Sequence, residues 1–446
     1  MALKPLDIFK LLPKTNCKEC GFPTCLAFAM QIAMGKEDIK KCPHVSKEAQ
    51  TQLLQDAAPP MKIISIGREN EKINIGGETV MFRHEKTFYN PSAIGFIINE
   101  SMPDEEIDAS FKNIMDLTYD RVGVTLKPNT IAIKDEGVGK FIEIVKKACP
   151  TNKSLILMSQ NASLLKEAIP LCKENNPIIF YADTNNYSEM GNIAKQFSVP
   201  VVVKGKTIEE LADVSRKITA MGVENIILYP EGTINEVYKN MVLIRRGAIL
   251  GKIKEIGYPV LTIPAFMTKD PLKETVYAGT FIAKYGSIVL LSSLRGESLF
   301  PLFLERLNIF TDPQKPMATP EGIYEVGKPD SNSPVLVTTN FSLTYFIVSG
   351  EIENARTGIH LLIQDAEGLS VLTAWAADKF NAETIATLVK KSKIEEKTSN
   401  RTLILPGMVA QIAGELEEEL PGWKIVLGPR EAAHLPAFLK TLSTAH

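Results

Sequence analysis

Four of the six cysteines in this 446-residue chain lie between positions 17 and 42. They are Cys17, Cys20, Cys25 and Cys42, in the stretch NCKECGFPTCLAFAMQIAMGKEDIKKCPH (16–44). The spacing is C-x2-C-x4-C-x16-C, with Pro43 after the last cysteine. Thiolates are metal ligands, and four of them can enclose one tetrahedral metal or a cubane iron–sulfur cluster. Structural zinc more often uses two C-x2-C pairs, or cysteine with histidine. Here one pair precedes two single cysteines. Disulfides are not expected, because nothing in the chain reads as secreted. Ligand number, type and spacing favour a [4Fe–4S] centre, with structural zinc as the alternative. Four thiolates and no other ligand leave no iron open, which directs such a centre to electron transfer.

The surrounding residues must aim those sulfurs. The Cys17–Cys20 turn ends at Gly21, and Gly21 with Pro23 bends the chain toward the third cysteine. Thr24 is a good N-cap for an apolar helix running to about Met34, and Gly35 suits its C-terminal end. Cys25 then occupies the first turn, where the helix dipole favours a thiolate. Residues 36–41 return the chain to Cys42. A short helix before Pro13 and a closing helix over 46–57 complete a unit of residues 1–58. Such a unit is too small to rely on a hydrophobic core, so the metal should hold it together. The AAPP stretch (57–60) is a natural linker.

A net charge of -2 gives no general attraction to nucleic acid or to a membrane surface. No apolar run is long enough to span a bilayer, and Lys4, Asp7 and Lys10 interrupt any leader-like segment. The expected location is cytoplasmic, in a reducing and anaerobic cell. Cys149 and Cys172 fall in helical stretches and read as small apolar fillers.

From position 61 the pattern changes. MKIISIG and ETVMFRH read as a strand or hairpin entry. Eight apolar runs follow: AIGFIIN (93–99), TIAIKD (130–135), SLILMS (154–159), PIIFYA (177–182), PVVVKG (200–205), NIILYP (225–230), VLTIPA (260–265) and SIVLLSS (287–293). Their near-continuous apolar character fits parallel strands buried on both faces. Helical stretches separate them, so residues 61–312 are expected to close a (β/α)8 TIM barrel, with a doubly wound sheet as the alternative. Asn99, Glu100, Asp135, Asn161, Asp183, Lys204 and Glu231 would lie at the strand ends, where a barrel places chemistry. They include no nucleophile–base pair, and polar strand-end caps look the same. GVGK (137–140) is too short to read as a phosphate loop.

The proline-rich segment 313–333 reads as a linker or extended wrap. Strand and helix patterns then alternate through 334–446, giving a small doubly wound domain. In it, PVLVTTN (334–340), HLLIQDA (360–366), TLILPGM (402–408) and WKIVLGP (423–429) are strands, and GLSVLTAWAADKF (368–380) carries a short strand and turn. Its ligand should lie at the C-terminal strand ends. The fold class is therefore α/β throughout: an N-terminal cluster unit, a central barrel and a Rossmann-like C-terminal domain.

This order resembles the large (gamma) subunit of the corrinoid iron–sulfur protein of the reductive acetyl-CoA pathway. The stretches that carry the resemblance are LLPKTNCKECGFPTCLAFAMQIAMGKEDIKKCP, NFSLTYF, EGLSVLTAWAADKF and LPGMVAQIAGELEEELPGW. It implies a cobamide in the C-terminal domain, with contacts at Asn340, Phe346, Ser370, Val371, Leu372, Thr373, Gly407 and His434. It implies a methyl carrier rather than a stand-alone enzyme. The methyl group would come from a methyltetrahydrofolate:corrinoid methyltransferase and leave to acetyl-CoA synthase/CO dehydrogenase, while the cluster reactivates cobalt. A smaller TIM-barrel subunit would complete a heterodimer. Many cobalamin domains ligate cobalt from below through a D-x-H-x-x-G loop, and none of the five histidines here has that context. The cobamide is thus expected base-off, with no protein histidine ligand and Thr373 near its lower face. The alternatives are an electron-transfer iron–sulfur protein without corrinoid, and a barrel methyltransferase with its own folate site.

Overall fold

The computed structural model describes residues 5–33, 37–47, 49, 59–121, 124–312 and 315–444. Met34, Gly35, most of the expected closing helix and the first half of the AAPP linker lie outside the described residues. The chain divides into two units, Met1–Tyr119 with Lys127–Thr311, and Asp120–Leu126 with Asp312–His446.

The first unit begins with α1 (Pro5–Leu11) and α2 (Cys25–Ala33). An antiparallel hairpin of β1 (Ile64–Ile66) and β2 (Ile73–Ile75) follows. ETVMFRH is not its second strand. The Arg245 guanidinium donates to the Val80 carbonyl at 2.7 Å and the Met81 carbonyl at 3.0 Å, so a buried arginine serves that backbone in place of a ladder.

Eight parallel strands then make the barrel: β3 (Ala93–Asn99), β6 (Thr130–Lys134), β7 (Ser154–Met158), β8 (Ile178–Ala182), β9 (Val201–Gly205), β10 (Ile226–Pro230), β11 (Leu261–Thr262) and β12 (Ile288–Leu291). Between β3 and β6 lies a small hairpin, β4 (Tyr119–Arg121) and β5 (Val124–Leu126). Each of the eight apolar runs supplies one barrel strand. The sheet runs β10-β9-β8-β7-β6-β3-β12-β11, and a parallel bridge between Leu228 and Val260 joins its two ends into a ring. The crossover helices are α3 (Asp104–Asp116), α4 (Phe141–Ala148), α5 (Ala162–Leu171), α6 (Tyr187–Phe197), α7 (Ile208–Ala220), α8 (Ile234–Ile249) and α9 (Pro271–Ala283), with α10 (Gly296–Ile309) after β12.

Ile64, Ile66 and Ile75 of the hairpin share one core with Ala132, Ile156, Ile178 and Val202 of the barrel interior. The hairpin covers the N-terminal strand ends. There the Lys153 ammonium, 2 % exposed, meets Glu71 at 2.9 Å, and Lys127 binds the other Glu71 oxygen. Burial pushes the Lys153 ammonium down and Glu71 opposes it. A charge this deep is tolerated only with such a partner. Cys149 and Cys172 prove to be neighbours at the ends of α4 and α5. The Cys149 thiol and burial together push the Cys172 thiol up.

The second unit holds a five-stranded sheet: β13 (Gly322–Val326), β14 (Val335–Thr339), β15 (Ile359–Gln364), β16 (Thr402–Leu405) and β17 (Lys424–Leu427), in the order β13-β15-β14-β16-β17. β13 is antiparallel to β15 and the other pairings are parallel. The segment expected as linker or wrap thus supplies an edge strand. α11 (Ser342–Ala355) and α15 (Leu435–Thr444) pack on one face of the sheet. α12 (Val371–Ala376), α13 (Ala382–Ser392) and α14 (Ala413–Glu419) pack on the other. The strand expected within 368–380 is instead α12. Ser370 is its N-cap, its carbonyl accepts the Ala374 N–H at 2.7 Å, and Val371 and Ala374 face the core at helical spacing.

At the barrel's C-terminal end Glu100 is buried. Burial raises its carboxyl. The N–H groups of Glu136 (2.9 Å), Val138 (3.2 Å), Phe141 (3.0 Å) and Lys140 outweigh that and hold it down at about 2. The GVGK loop therefore wraps a carboxylate of its own chain. Because the folded value is depressed, the stabilisation is full above about pH 4.5 and is lost as pH falls through about 2. Glu100→Gln is expected to cost about 2–3 kcal/mol at neutral pH. Denaturant titrations of parent and variant should converge as the pH is lowered toward 2.

Candidate metal centre and cofactor-binding edge

Cys20, Cys25 and Cys42 are buried with Ile8, Leu12, Phe28, Ala29 and Ile39, while Cys17 is exposed. Cys25 opens α2, as its spacing from Thr24 predicts. The Thr24 hydroxyl accepts the Ala27 N–H at 3.1 Å, and the Asn16 amide oxygen accepts the Cys25 N–H at 2.8 Å. A single turn of 3-10 helix, Ile39–Lys41, capped by Asp38, delivers Cys42. His44 Nε2 lies 2.9 Å from Glu19 Oε2, tying the Cys17–Cys20 turn to the segment just after Cys42.

The loop before α2 is wound unusually. Lys14, Asn16 and Lys18 all have positive φ (60°, 49° and 66°), at every second position, and Gly21 follows at 85°. Tetrahedral zinc, with Zn–S bonds of about 2.3 Å, would hold its sulfurs ~3.8 Å apart. Among the described residues, the donors of Cys17, Glu19 and His44 come within 4.8 Å of one another. Four thiol donors are the ligand set of a cubane cluster.

In the second unit the order of parallel strands reverses between β14 and β16, which marks the ligand end of a doubly wound sheet. Asn340, just after β14, is buried. Its Nδ2 donates to Asp365 at 2.8 Å, and its Oδ1 accepts the N–H groups of Ala366 (3.0 Å) and Gly368 (2.9 Å). Asn340 therefore shapes the β15–α12 loop through its side chain. Gly368 turns that loop with a φ of 75°. In the 370–373 turn Val371 faces the core, Leu372 is exposed, and the Ser370 and Thr373 hydroxyls lie 3.0 Å apart. At Gly407 a Cβ would come 2.4 Å from the Gly428 carbonyl, so only glycine lets the ends of β16 and β17 approach. His434 is exposed in a short 3-10 turn before α15. Asn340, the 370–373 turn and Gly407 all lie at this strand-end edge, where their places in the sequence put them. Val371 is turned away from it.

This edge is apolar where solvent reaches it. Leu343, Phe346 and Ile347 on α11, Leu372 and Trp375 on α12, and Leu427 ending β17 are all exposed. At the ends of β14 and β15 the Thr339 hydroxyl and the Gln364 amide oxygen are buried without a hydrogen-bond partner. A flat, largely apolar ligand edged with amide groups suits such a surface. At the barrel's C-terminal end the polar groups already have partners. Asn161 caps α5, Asp183 binds the N–H groups of Asn185 and Asn186, and Lys204 pairs with Glu231 at 3.0 Å.

The family model for the CO dehydrogenase/acetyl-CoA synthase delta subunit matches residues 63–439. A second model, for an Fe–S cluster, matches residues 12–44. The corrinoid/iron-sulfur protein large subunit of Moorella thermoacetica is 39% identical over 444 residues, spanning 99% of each chain. This chain belongs to the corrinoid/iron–sulfur protein large-subunit family. The acetyl-CoA decarbonylase/synthase complex subunit gamma of Methanothermobacter thermautotrophicus is 31% identical over the full length of both chains. Dihydropteroate synthase from Thermus thermophilus aligns with 52% of this chain and 100% of its own, at a TM-score of 0.38 and 12% identity. No helix among the described residues is long and apolar enough to cross a membrane.

Asn340→Ala would leave the Ala366 and Gly368 N–H groups buried without an acceptor. It is expected to destabilise the second unit by about 2–3 kcal/mol and to speed amide exchange at 366 and 368, read by hydrogen-exchange mass spectrometry.

Proposed function

We propose that this chain is a methyl carrier with two resident cofactors. Cys17, Cys20, Cys25 and Cys42 hold a [4Fe–4S] cluster, and the strand-end edge of the second unit holds a cobamide. When bound, the cobamide supplies a cobalt that carries the methyl group, and the cluster supplies single electrons that restore that cobalt's reduced state. The methyl group comes from methyltetrahydrofolate through a separate methyltransferase and goes to acetyl-CoA synthase. A smaller TIM-barrel subunit is the assembly partner. The parts that serve this division of labour are a cluster unit of residues 1–58, a barrel of 61–312 and a corrinoid domain of 334–446, to whose sheet 313–333 lends the edge strand β13.

The observation that carries this reading is the exposed apolar rim of Leu343, Phe346, Leu372 and Trp375, in a domain whose strand ends also hold the unpartnered oxygens of Thr339 and Gln364. The chain's own residues do four things there. The rim side chains cover the ring and exclude water. Gly407 permits close approach of backbone. Asn340 fixes the loop that carries Ser370 and Thr373. His434, exposed beyond β17, offers a ring nitrogen to a side-chain amide of the corrin. Thr373 would lie toward the lower face of the cobamide, where a hydroxyl is too weak a donor to oppose reduction. The absence of a D-x-H-x-x-G histidine supports a base-off cobamide with no protein histidine ligand.

Anaerobically purified protein should contain about one cobalt and about four irons per chain. Its visible spectrum should show corrinoid bands above the broad cluster absorption. Zinc without iron, or iron with no corrin retained, would end this reading. Thr373→His should place a strong donor below the cobalt. Spectroelectrochemical titration should then give a more negative midpoint for the lower cobalt couple. An unchanged midpoint removes Thr373 from that position.

A further inference from the structure

We propose that Asn16 is a positioning residue for the four-thiol centre: its amide closes the cysteine loop and withholds the Cys25 N–H from the sulfurs. The inference rests on the cluster reading above and concerns a residue outside the ligand set. Asn16 immediately precedes Cys17 and adopts a φ of 49°, a conformation asparagine tolerates better than other residues with a side chain beyond Cα, aspartate excepted. Its Oδ1 accepts the Cys25 N–H at 2.8 Å, across nine residues of chain. The loop so closed contains Cys17, Cys20 and Cys25.

Helix capping alone does not account for this contact. α2 already has a local cap, because the Thr24 hydroxyl takes the Ala27 N–H. A second acceptor reaching in from position 16 joins the first cysteine to the third. It also fixes where the Cys25 N–H points. Peptide N–H groups aimed at cluster sulfurs raise a cluster's reduction potential. A Cys25 N–H held by Asn16 is not available for that, so the potential stays low. The cap is neutral. Aspartate would offer the same oxygen to the same N–H and would add a negative charge beside four thiolates.

These roles predict opposite shifts for two substitutions. The full-length chain is reconstituted anaerobically with ferrous iron and sulfide. Iron release to a chelator and the cluster midpoint potential are then measured. Asn16→Ala should release iron about fivefold faster, the size of a lost cap, and its freed Cys25 N–H should move the midpoint upward. Asn16→Asp keeps the acceptor, so it should release iron at the parent rate with a midpoint moved downward. Parent-like release and potential in Asn16→Ala would overturn the inference and leave the cluster reading standing. Shifts of the same sign in both variants would overturn it too, even if the alanine variant holds less iron. A parent chain that assembles no cluster would overturn the cluster reading itself, and this inference with it.

Discussion

A peptide N–H shut away from water must find an acceptor, and loops at the ends of strands and helices are where the ladder no longer supplies one. Three side chains illustrate how this chain meets that demand. Asn16 takes the N–H that opens α2, Glu100 takes four from the loop entering α4, and Asn340 takes two from the loop entering α12. Glu100 and Asn340 sit just past a strand and pull the following loop onto it, while Asn16 lies in the loop before α2. The charged acceptor is used in the barrel, far in sequence from either candidate cofactor site. Neutral amides serve beside the cysteines and at the strand-end edge, with the carboxylates of Asp38 and Asp365 accepting nearby.

Much of this was readable beforehand. Eight buried parallel strands leave an unbroken apolar signature, and every one of the eight runs became a barrel strand. The four cysteines announce themselves by spacing, and Thr24 by its type. What was not readable depended on contacts distant in sequence. Nothing local marks Asn16 as reaching to Cys25, or Lys14 and Lys18 as left-handed, since lysine has no preference for that conformation. The 368–380 stretch read as a strand because Leu369, Val371 and Leu372 are apolar, yet Ser370 caps a helix there. β13 hid in a segment whose prolines argued for a linker, because an antiparallel edge strand needs only one side paired. Cys149 and Cys172 looked like unrelated fillers, and only the packing of α4 against α5 makes them neighbours.

The two candidate sites differ in how they are held. The cysteine loop is kept in an expensive backbone conformation at alternate residues, packed on a small apolar cluster of Ile8, Leu12, Phe28 and Ile39. The strand-end edge stands on a complete five-stranded sheet with helices on both faces. That edge is formed by the sheet and its helices, and its apolar rim is exposed. At the barrel's strand ends, Glu100, Asn161, Asp183, Lys204 and Glu231 are engaged with groups of their own chain.

The ring of barrel strands is uneven. Seven neighbouring pairs share ladders, but β10 meets the β11 segment through the Leu228–Val260 bridge, and β11 itself is two residues long. A cylinder built this way has a seam. Thermal breathing should begin along it, since parting those two staves breaks the fewest bonds. A protein engineer who wished to cut and rejoin this chain, or to graft a loop into it, would find the most forgiving place beside that seam.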